Sequence, residues 1–208
     1  MLRLLGRQTS GNVQKVLFML EETGADYTRE DYGRQFDNTQ TAEYKGLNPT
    51  SRVPTLIDGD VVVWESNTIL RYLAAKGGDA LTGATPAERT DVECWMDFLI
   101  SAVNPGYLAA FKGAKLKPEE RAPDYGAQIK DLIAQMSIIN THLKGRDFLA
   151  PGRLTIADIA CAPVLKRCLD FDTGRPAMPE LERWMAAIAA RPAFKAATGT
   201  GPATPKAA

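Results

Sequence analysis

The chain has 208 residues, enough to bury a substantial core in one or two domains, and its 45% hydrophobic and 24% charged content is that of a globular protein. Lys+Arg and Asp+Glu both number 25, so no net field draws the chain to nucleic acid or to an anionic membrane. The opening MLRLLGRQTSG is too short an apolar run for a signal peptide, no stretch approaches transmembrane length, and Cys94, Cys161 and Cys168 form no CxxC. An odd set of unpaired thiols points to a reducing compartment, and a cytoplasmic enzyme is the expectation.

Leu2–Leu5 reads as a short buried strand ending at Gly6. The polar loop Arg7-Gln8-Thr9-Ser10-Gly11-Asn12 leads into a helix whose apolar face is Val13, Val16, Leu17 and Leu20, with Gly24 as its C-terminal stop. Tyr27–Tyr32 suits a second strand, 33–38 a loop, 41–47 a short helix and Asn48-Pro49 a turn. The stretch 52–67, RVPTLIDGDVVVWESN, then carries the most information. Asp58-Gly59 between β-branched runs predicts a hairpin with a type I′ turn, which needs positive φ at both central residues. Proline lacks a ladder donor, so Pro54 belongs at a strand start or edge, where a cis peptide in a tight turn fits and an extended peptide could pair. Glu65-Ser66-Asn67 precedes a helical run, and a helix N-terminus favours a bound carboxylate.

A Val-Pro, a hairpin and then Glu-Ser at a helix start resembles the glutathione-binding half of the cytosolic glutathione transferases. The resemblance implies a thioredoxin-like α/β domain of order βαβαββα over 1–76, a linker over 77–85 and an all-α helical bundle over 86–208. The second half supports it. Thr85-Pro86-Ala87-Glu88 is a capping box opening a helix with Val92, Trp95, Met96, Leu99, Ile100 and Val103 on one stripe. Asn104-Pro105-Gly106 should bend or break that helix, and another is expected from about Pro118, with Ile129 to Leu143 inward. Thr155-Ile156-Ala157-Asp158 is a second capping box before a buried helix, 179–190 is the last clear helix, and the tail from Thr198 is expected to fray. LTIADIA followed by PELERWMAAIAARPAF looks like the family's C-terminal domain, and GRQTSGNVQKV looks closest to a bacterial group with SxNVxKV at the first helix. The match spans about residues 1–195 in order.

The chemistry so implied needs a thiolate, and a cysteine-type thiol with pKa near ~8.5 is ionised only to a few per cent at neutral pH. A hydroxyl aimed at the sulfur beside a helix N-terminus stabilises the anion. Ser10 lies at the offset of the catalytic serine in serine-type members, as a donor to the thiolate; from the residues alone, Ser10 or Asn12 could equally just cap the helix. Asn12 is the rival donor and Thr9 a weaker one; no cysteine or tyrosine stands at 9–12, which sets aside the branches that use those residues. The resemblance assigns glutathione, as co-substrate, to Thr39, Arg52, Val53, Pro54, Glu65 and Ser66. It expects an electrophile pocket between the domains, with Phe98, Ala102, Tyr107, Phe111 and Lys166 as candidates, and a homodimer. His142 is the single histidine, so a triad or His-rich metal site is not expected, and Cys161 and Cys168 read as buried free thiols. Trp64, Trp95 and Trp184 read as core or interface anchors. The expected activity is attack of activated glutathione on small apolar electrophiles. A glutathione-dependent peroxidase, isomerase or dehalogenase on the same scaffold, and a non-catalytic binding module, are the alternatives.

Overall fold

The structure is a computed structural model that describes residues 1–77, 79–150 and 152–200. It divides into two compact units, Met1–Thr82 with the segment from Ala189 onward, and Gly83–Ile188.

In the first unit β1 (Leu2–Leu5), α1 (Gly11–Thr23), β2 (Tyr27–Glu30), α2 (Ala42–Leu47), β3 (Thr55–Asp58), β4 (Val61–Trp64) and α3 (Ser66–Gly77) follow in the expected βαβαββα order. The sheet runs β2-β1-β3-β4, with β1 parallel to β2 and the other pairs antiparallel. Leu4, Leu5 and Leu56 from the sheet and Val13, Val16, Phe18, Leu20, Ile69 and Leu70 from α1 and α3 are fully buried. Each such side chain contributes about 1.5–3 kcal/mol. α1 ends at Gly24, which is left-handed at φ 63° as a C-terminal stop requires.

The hairpin turn differs from expectation. Asp58 pairs with Val61, so Gly59 and Asp60 are the central residues, and only Gly59 has positive φ, 59°. Glycine at the first central position suits a type II′ turn rather than I′. Trp64 is no core anchor either: on the edge strand β4 it is 39% exposed and Val61 is 46% exposed.

A helix missed from the sequence, α9 (Pro192–Thr198), also belongs to this unit. Phe194 packs edge-on against Phe18 of α1, ring centroids 5.3 Å apart, Arg191 pairs with Glu22, and Gln8 Nε2 donates to the Ala196 carbonyl at 3.0 Å. A helical domain running 86–208 therefore loses its end to the first unit, because the apolar side of α9 is covered by α1. The tail was expected to fray from Thr198, but Thr198 is the last residue of α9 and Gly199 terminates it at φ 73°; the rest of that tail, 201–208, lies outside the described residues.

The second unit holds α4 (Pro86–Phe98), α5 (Asn104–Gly113), α6 (Tyr125–His142), α7 (Ile156–Asp170) and most of α8 (Pro179–Ala190). Of the bend or break expected at 104–106, the break does not occur. A π-helical segment, Leu99–Val103, joins α4 to α5, with the Asn104 N–H donating to the Leu99 carbonyl five residues back. The wider turn lets the helix continue past Pro105, which has no N–H to give. Gly106 is there for space: a Cβ would come 2.6 Å from the Leu132 Cβ of α6. α6 starts later than expected, after a short 3-10 turn at Pro118–Glu120, since Pro123 disfavours helix at the residue before it.

The capping box at Thr155 is the tightest polar feature. Asp158 is fully buried and accepts from Leu149 N (2.9 Å), Thr155 N (3.0 Å), Thr155 Oγ1 (3.3 Å) and Trp184 Nε1 (3.0 Å). Burial pushes its carboxyl up, and these four donors pull against that rise. Among the described residues no helix is long and apolar enough to cross a membrane.

Candidate active site

Strand register assembles the site. Leu5 lies opposite Thr55, and Thr55 opposite Trp64. The segments that leave or enter at that row, 6–10 after β1, 52–54 before β3 and 65–66 after β4, therefore share one end of the sheet. Every first-unit residue expected to bind glutathione, Thr39 excepted, stands on one of them or at the start of α1.

The first segment is tied down through its backbone. Gly6 N donates to Glu30 O at 2.8 Å, Arg7 N to Tyr32 O at 3.2 Å and Ser10 N to Arg7 O at 3.1 Å. Ser10 is the N-cap of α1 in an extended conformation (φ −82°, ψ 126°), and its carbonyl accepts the first helical bond from Gln14 N at 2.9 Å. It is 9% exposed, yet its hydroxyl makes no capping hydrogen bond. No acidic residue stands in the first turn. The hydroxyl is thus free to donate to a ligand beside the positive end of the helix.

Asn12, two residues on, is exposed, and its Oδ1 accepts from Ser66 Oγ at 3.4 Å. This contact links the first turns of α1 and α3. At 3.4 Å it is long, so a ligand acceptor can replace it at small cost. Ser66 is 6% exposed at the start of α3, while Glu65 beside it is exposed at φ 67°. A non-glycine residue held left-handed stores roughly 1–3 kcal/mol, and such residues cluster at ligand sites. The Glu65 carbonyl accepts from Ile69 N at 2.9 Å, which starts α3.

The third segment contains a cis peptide at Val53-Pro54. The Val53 N–H and carbonyl enter no hydrogen bond among the described residues. Beneath it lies a network the sequence reading missed. Tyr44 of α2 donates to the Arg52 carbonyl at 2.8 Å and lies 2.9 Å from the Thr55 hydroxyl, and Asn48 Nδ2 donates to both, at 2.8 and 3.0 Å. Asn48 Oδ1 accepts from Thr50 N and Oγ1 at 3.0 and 2.7 Å. Burial pushes the Tyr44 hydroxyl up, which keeps it a donor. The Asn-Pro pair was legible as a turn, and the side-chain bonds an asparagine makes in such turns were the available signal. Arg7 was missed too. It is 9% exposed, with Nη1 only 2.8 Å from where a Cβ on Gly33 would stand, a point 3.4 Å from Val53 Cγ1. Arg52 is exposed, and Thr39 is half-buried with no contact that joins it to the other candidates.

In the second unit the expected pocket residues separate. Tyr107 is 8% exposed and stands with Phe111, ring centroids 6.1 Å apart. Two residues not singled out from the sequence join them. Arg167 Nη1 donates to the Tyr107 hydroxyl at 3.1 Å, and the Phe171 ring stacks at 6.2 Å and 27°. Lys166, the candidate on that helix, instead pairs with Asp170 at 2.6 Å. One residue along a helix turns a side chain by about 100°, so 166 and 167 serve different faces. Phe98 sits edge-on to Trp95 at 5.7 Å, and Ala102 is half-buried in the π segment. The His142 ring lies 4.3 Å from Trp95 and its Nε2 is 2.9 Å from the Leu149 carbonyl, a packing role. Burial pushes the Cys168 thiol up to about 12, so it is inert. Among the described residues no three His, Cys, Asp or Glu side chains are grouped to hold a metal.

Known proteins share this organisation. The glutathione S-transferase N-terminal domain model matches residues 2–75 and the C-terminal domain model residues 96–192. Glutathione S-transferase GstB of Escherichia coli strain K12 is 32% identical over 200 residues, covering 94% of this chain and 96% of its own. The theta class glutathione S-transferase of Xanthomonas axonopodis pv. citri, solved with glutathione bound, superposes with a TM-score of 0.89 at 34% identity over 96% of this chain and 98% of that one. A glutathione transferase family member from Pseudomonas fluorescens, solved with two glutathione bound, gives a TM-score of 0.86 at 26% identity over 95% and 92% of the two chains. Two domain models that match in order, and a relative similar across nearly its whole length, settle the matter: the chain belongs to the glutathione S-transferase family.

Proposed function

We propose that the protein is a glutathione transferase of serine type, in which Ser10 holds the glutathione sulfur as a thiolate for attack on a small apolar electrophile. The observation that carries this reading is the hydroxyl of Ser10, the N-cap residue of α1, which makes no capping bond although the residue is only 9% exposed. Ser66 and Glu65 at the start of α3 receive the γ-glutamyl carboxylate and amine. The Val53 backbone pairs with the cysteinyl unit, Arg52 offers a cation to the glycine carboxylate, and Thr39 offers a polar contact. Asn12 orients Ser66 until the ligand arrives. A homodimer in the cytoplasm fits the exposed apolar Val61 and Trp64 on the edge strand, which a second copy would cover.

The reaction proceeds by loss of the thiol proton to solvent, attack of the thiolate on the electrophilic carbon, and departure of the leaving group with its bonding pair. The serine neither attacks nor takes the proton; its hydrogen bond, with the α1 N-terminus, lowers the energy of the anion. The test is retention on immobilised glutathione together with titration of thiolate absorbance in the bound state. Retention with a thiol pKa clearly below that of free glutathione supports the reading, and retention with an unshifted pKa leaves only a binding module.

A further inference from the structure

We propose that Tyr44 and Asn48 are positioning residues for the thiol peptide: by holding the Arg52 carbonyl from within, they aim the Val53 N–H at the cysteinyl carbonyl of glutathione. The proposal rests on the glutathione-binding reading above and adds to it the residues that set the pairing. Every residue it uses lies in the first unit. Tyr44 and Asn48 are each 1% exposed, one on α2 and the other at its C-terminal cap. The Arg52 carbonyl accepts from Tyr44 Oη and from Asn48 Nδ2, both at 2.8 Å, so both of its lone pairs are used. Asn48 is held in that orientation, because its Oδ1 accepts from Thr50 N at 3.0 Å and a backbone N–H can only donate. The buried Thr55 hydroxyl joins the two donors from β3, at 2.9 and 3.0 Å. The Tyr44 ring also stacks on Tyr32 at 5.2 Å and 28°, and the Tyr32 carbonyl holds Arg7 N.

The peptide group transmits this order to the ligand side. The Arg52–Val53 bond is trans, and in a planar trans peptide the carbonyl and the N–H point in opposite directions. Fixing the carbonyl toward Tyr44 and Asn48 therefore fixes the Val53 N–H away from them. Two donors on the carbonyl also polarise the amide and make its N–H a stronger donor. Pro54 has no N–H, so Val53 carries the last donor before β3. That N–H makes no hydrogen bond among the described residues. The loop behind it is shaped by the same asparagine: Ser51 is left-handed at φ 55° and its N–H donates to the Asn48 carbonyl at 3.1 Å.

The bland alternative is that the network only closes the loop over 48–52. It predicts lost stability and nothing about which ligand atoms are read. The two readings part on the cysteinyl carbonyl. The probes are γ-glutamylcysteinamide and γ-glutamylcysteamine, which differ by the carboxamide that carries that carbonyl. Neither has a glycine carboxylate, so the Arg52 side chain does not enter the comparison. The dissociation constant of each is measured by isothermal calorimetry, and the ratio of cysteamine to cysteinamide is the readout.

The ratio should be about five or more in the wild type, as the loss of one backbone hydrogen bond implies. It should fall about threefold in Tyr44→Phe, which keeps the ring and removes the hydroxyl, and likewise in Asn48→Ala. It should change by less than about twofold in Tyr27→Phe, which removes a 2.6 Å bond to Glu21 at the opposite end of the same sheet. Tm is expected to fall in all three, so only the ratio separates positioning from packing. A wild-type ratio near one, a ratio unmoved in Tyr44→Phe or Asn48→Ala, or an equal fall in Tyr27→Phe overturns the proposal. Should one of the first two variants fail to fold, the other decides. Thiolate titration of bound glutathione in the wild type separates this idea from the one it rests on. A ratio that depends on Tyr44 with an unshifted thiol pKa would sink the transferase reading and spare the positioning role; a lowered thiol pKa with an unmoved ratio would sink the positioning role alone.

Discussion

Two helices in this molecule begin after a buried residue with a small hydroxyl, and the hydroxyls do opposite things. Thr155 at α7 is 2% exposed; its Oγ1 accepts from Ala157 N at 3.3 Å and donates to Asp158 at 3.3 Å. Asp158 in turn satisfies the backbone of Leu149 and the indole of Trp184. Every polar atom there has a protein partner, and the result is a rigid joint. Ser10 at α1 has similar burial and a similar extended backbone, yet its hydroxyl has no capping partner, and Val13 stands where a capping box would place an acid. An acid there would repel a thiolate and occupy the N–H groups that stabilise it. The difference teaches that a saturated helix start builds the fold, whereas a buried start with capacity left over is prepared for a ligand.

Substitutions at the two starts should therefore separate stability from chemistry. The largest effect is expected from Asp158→Ala, which strands three buried N–H donors at about 1–3 kcal/mol each, so a loss of about 3 kcal/mol or more. For a chain of this size that lowers Tm by roughly 6–12 °C in calorimetry. Glutathione affinity of the folded fraction should hold; lost affinity at unchanged Tm would make Asp158 a site residue.

Ser10→Ala comes next and should behave in the opposite way. Its Tm should move little, because no capping bond is lost, while thiolate absorbance moves to higher pH and turnover at neutral pH drops. Removing the main donor to such a charge costs about 2.7 kcal/mol or somewhat less here, a fall of up to roughly a hundredfold, since the helix N-terminus remains. A Tm loss of several degrees with normal turnover would show that Ser10 is a second Thr155.

Ser66→Ala should weaken glutathione by about 1.5–3 kcal/mol in isothermal calorimetry, through one charge-assisted hydrogen bond to a buried carboxylate. Unchanged affinity would remove the γ-glutamyl group from this position. The smallest effect is expected from Asn12→Ala, which gives up a long contact to Ser66 and should alter affinity by less than about 1 kcal/mol with no shift in thiol ionisation. A raised thiol pKa in Asn12→Ala, with none in Ser10→Ala, would exchange the two roles.

Much of the first unit was legible because local pattern and long-range pairing agree there. The hairpin strands, Gly24, the Pro54 turn and the Glu65-Ser66 helix start all follow from residue type at short spacing. What the sequence could not carry was choice of partner. The apolar side of Pro192–Thr198 fits any groove, and nothing local assigns Phe194 to Phe18. The π segment was hidden because Asn-Pro-Gly is a breaker signal unless the turn before it widens. That Lys166 and Arg167 serve different faces was hidden too, because the phase of a uniformly buried helix such as α7 is poorly marked by hydrophobicity. Tyr44 and Asn48 acted at one remove, holding the Arg52 carbonyl, and no motif announces a residue of that kind.

The return of α9 to α1 also bears on how the chain comes to be folded during synthesis. The helical unit is one continuous run, Gly83–Ile188, while the sheet-bearing unit is assembled from both sides of it. A nascent chain that has just delivered Ile188 holds the whole sequence of the helical unit, but Phe18 still lacks Phe194 and Glu22 still lacks Arg191. The helical unit should accordingly be the first to acquire protease resistance on the ribosome, although its sequence emerges second. The glutathione-binding unit would wait for the last helix to close over its first.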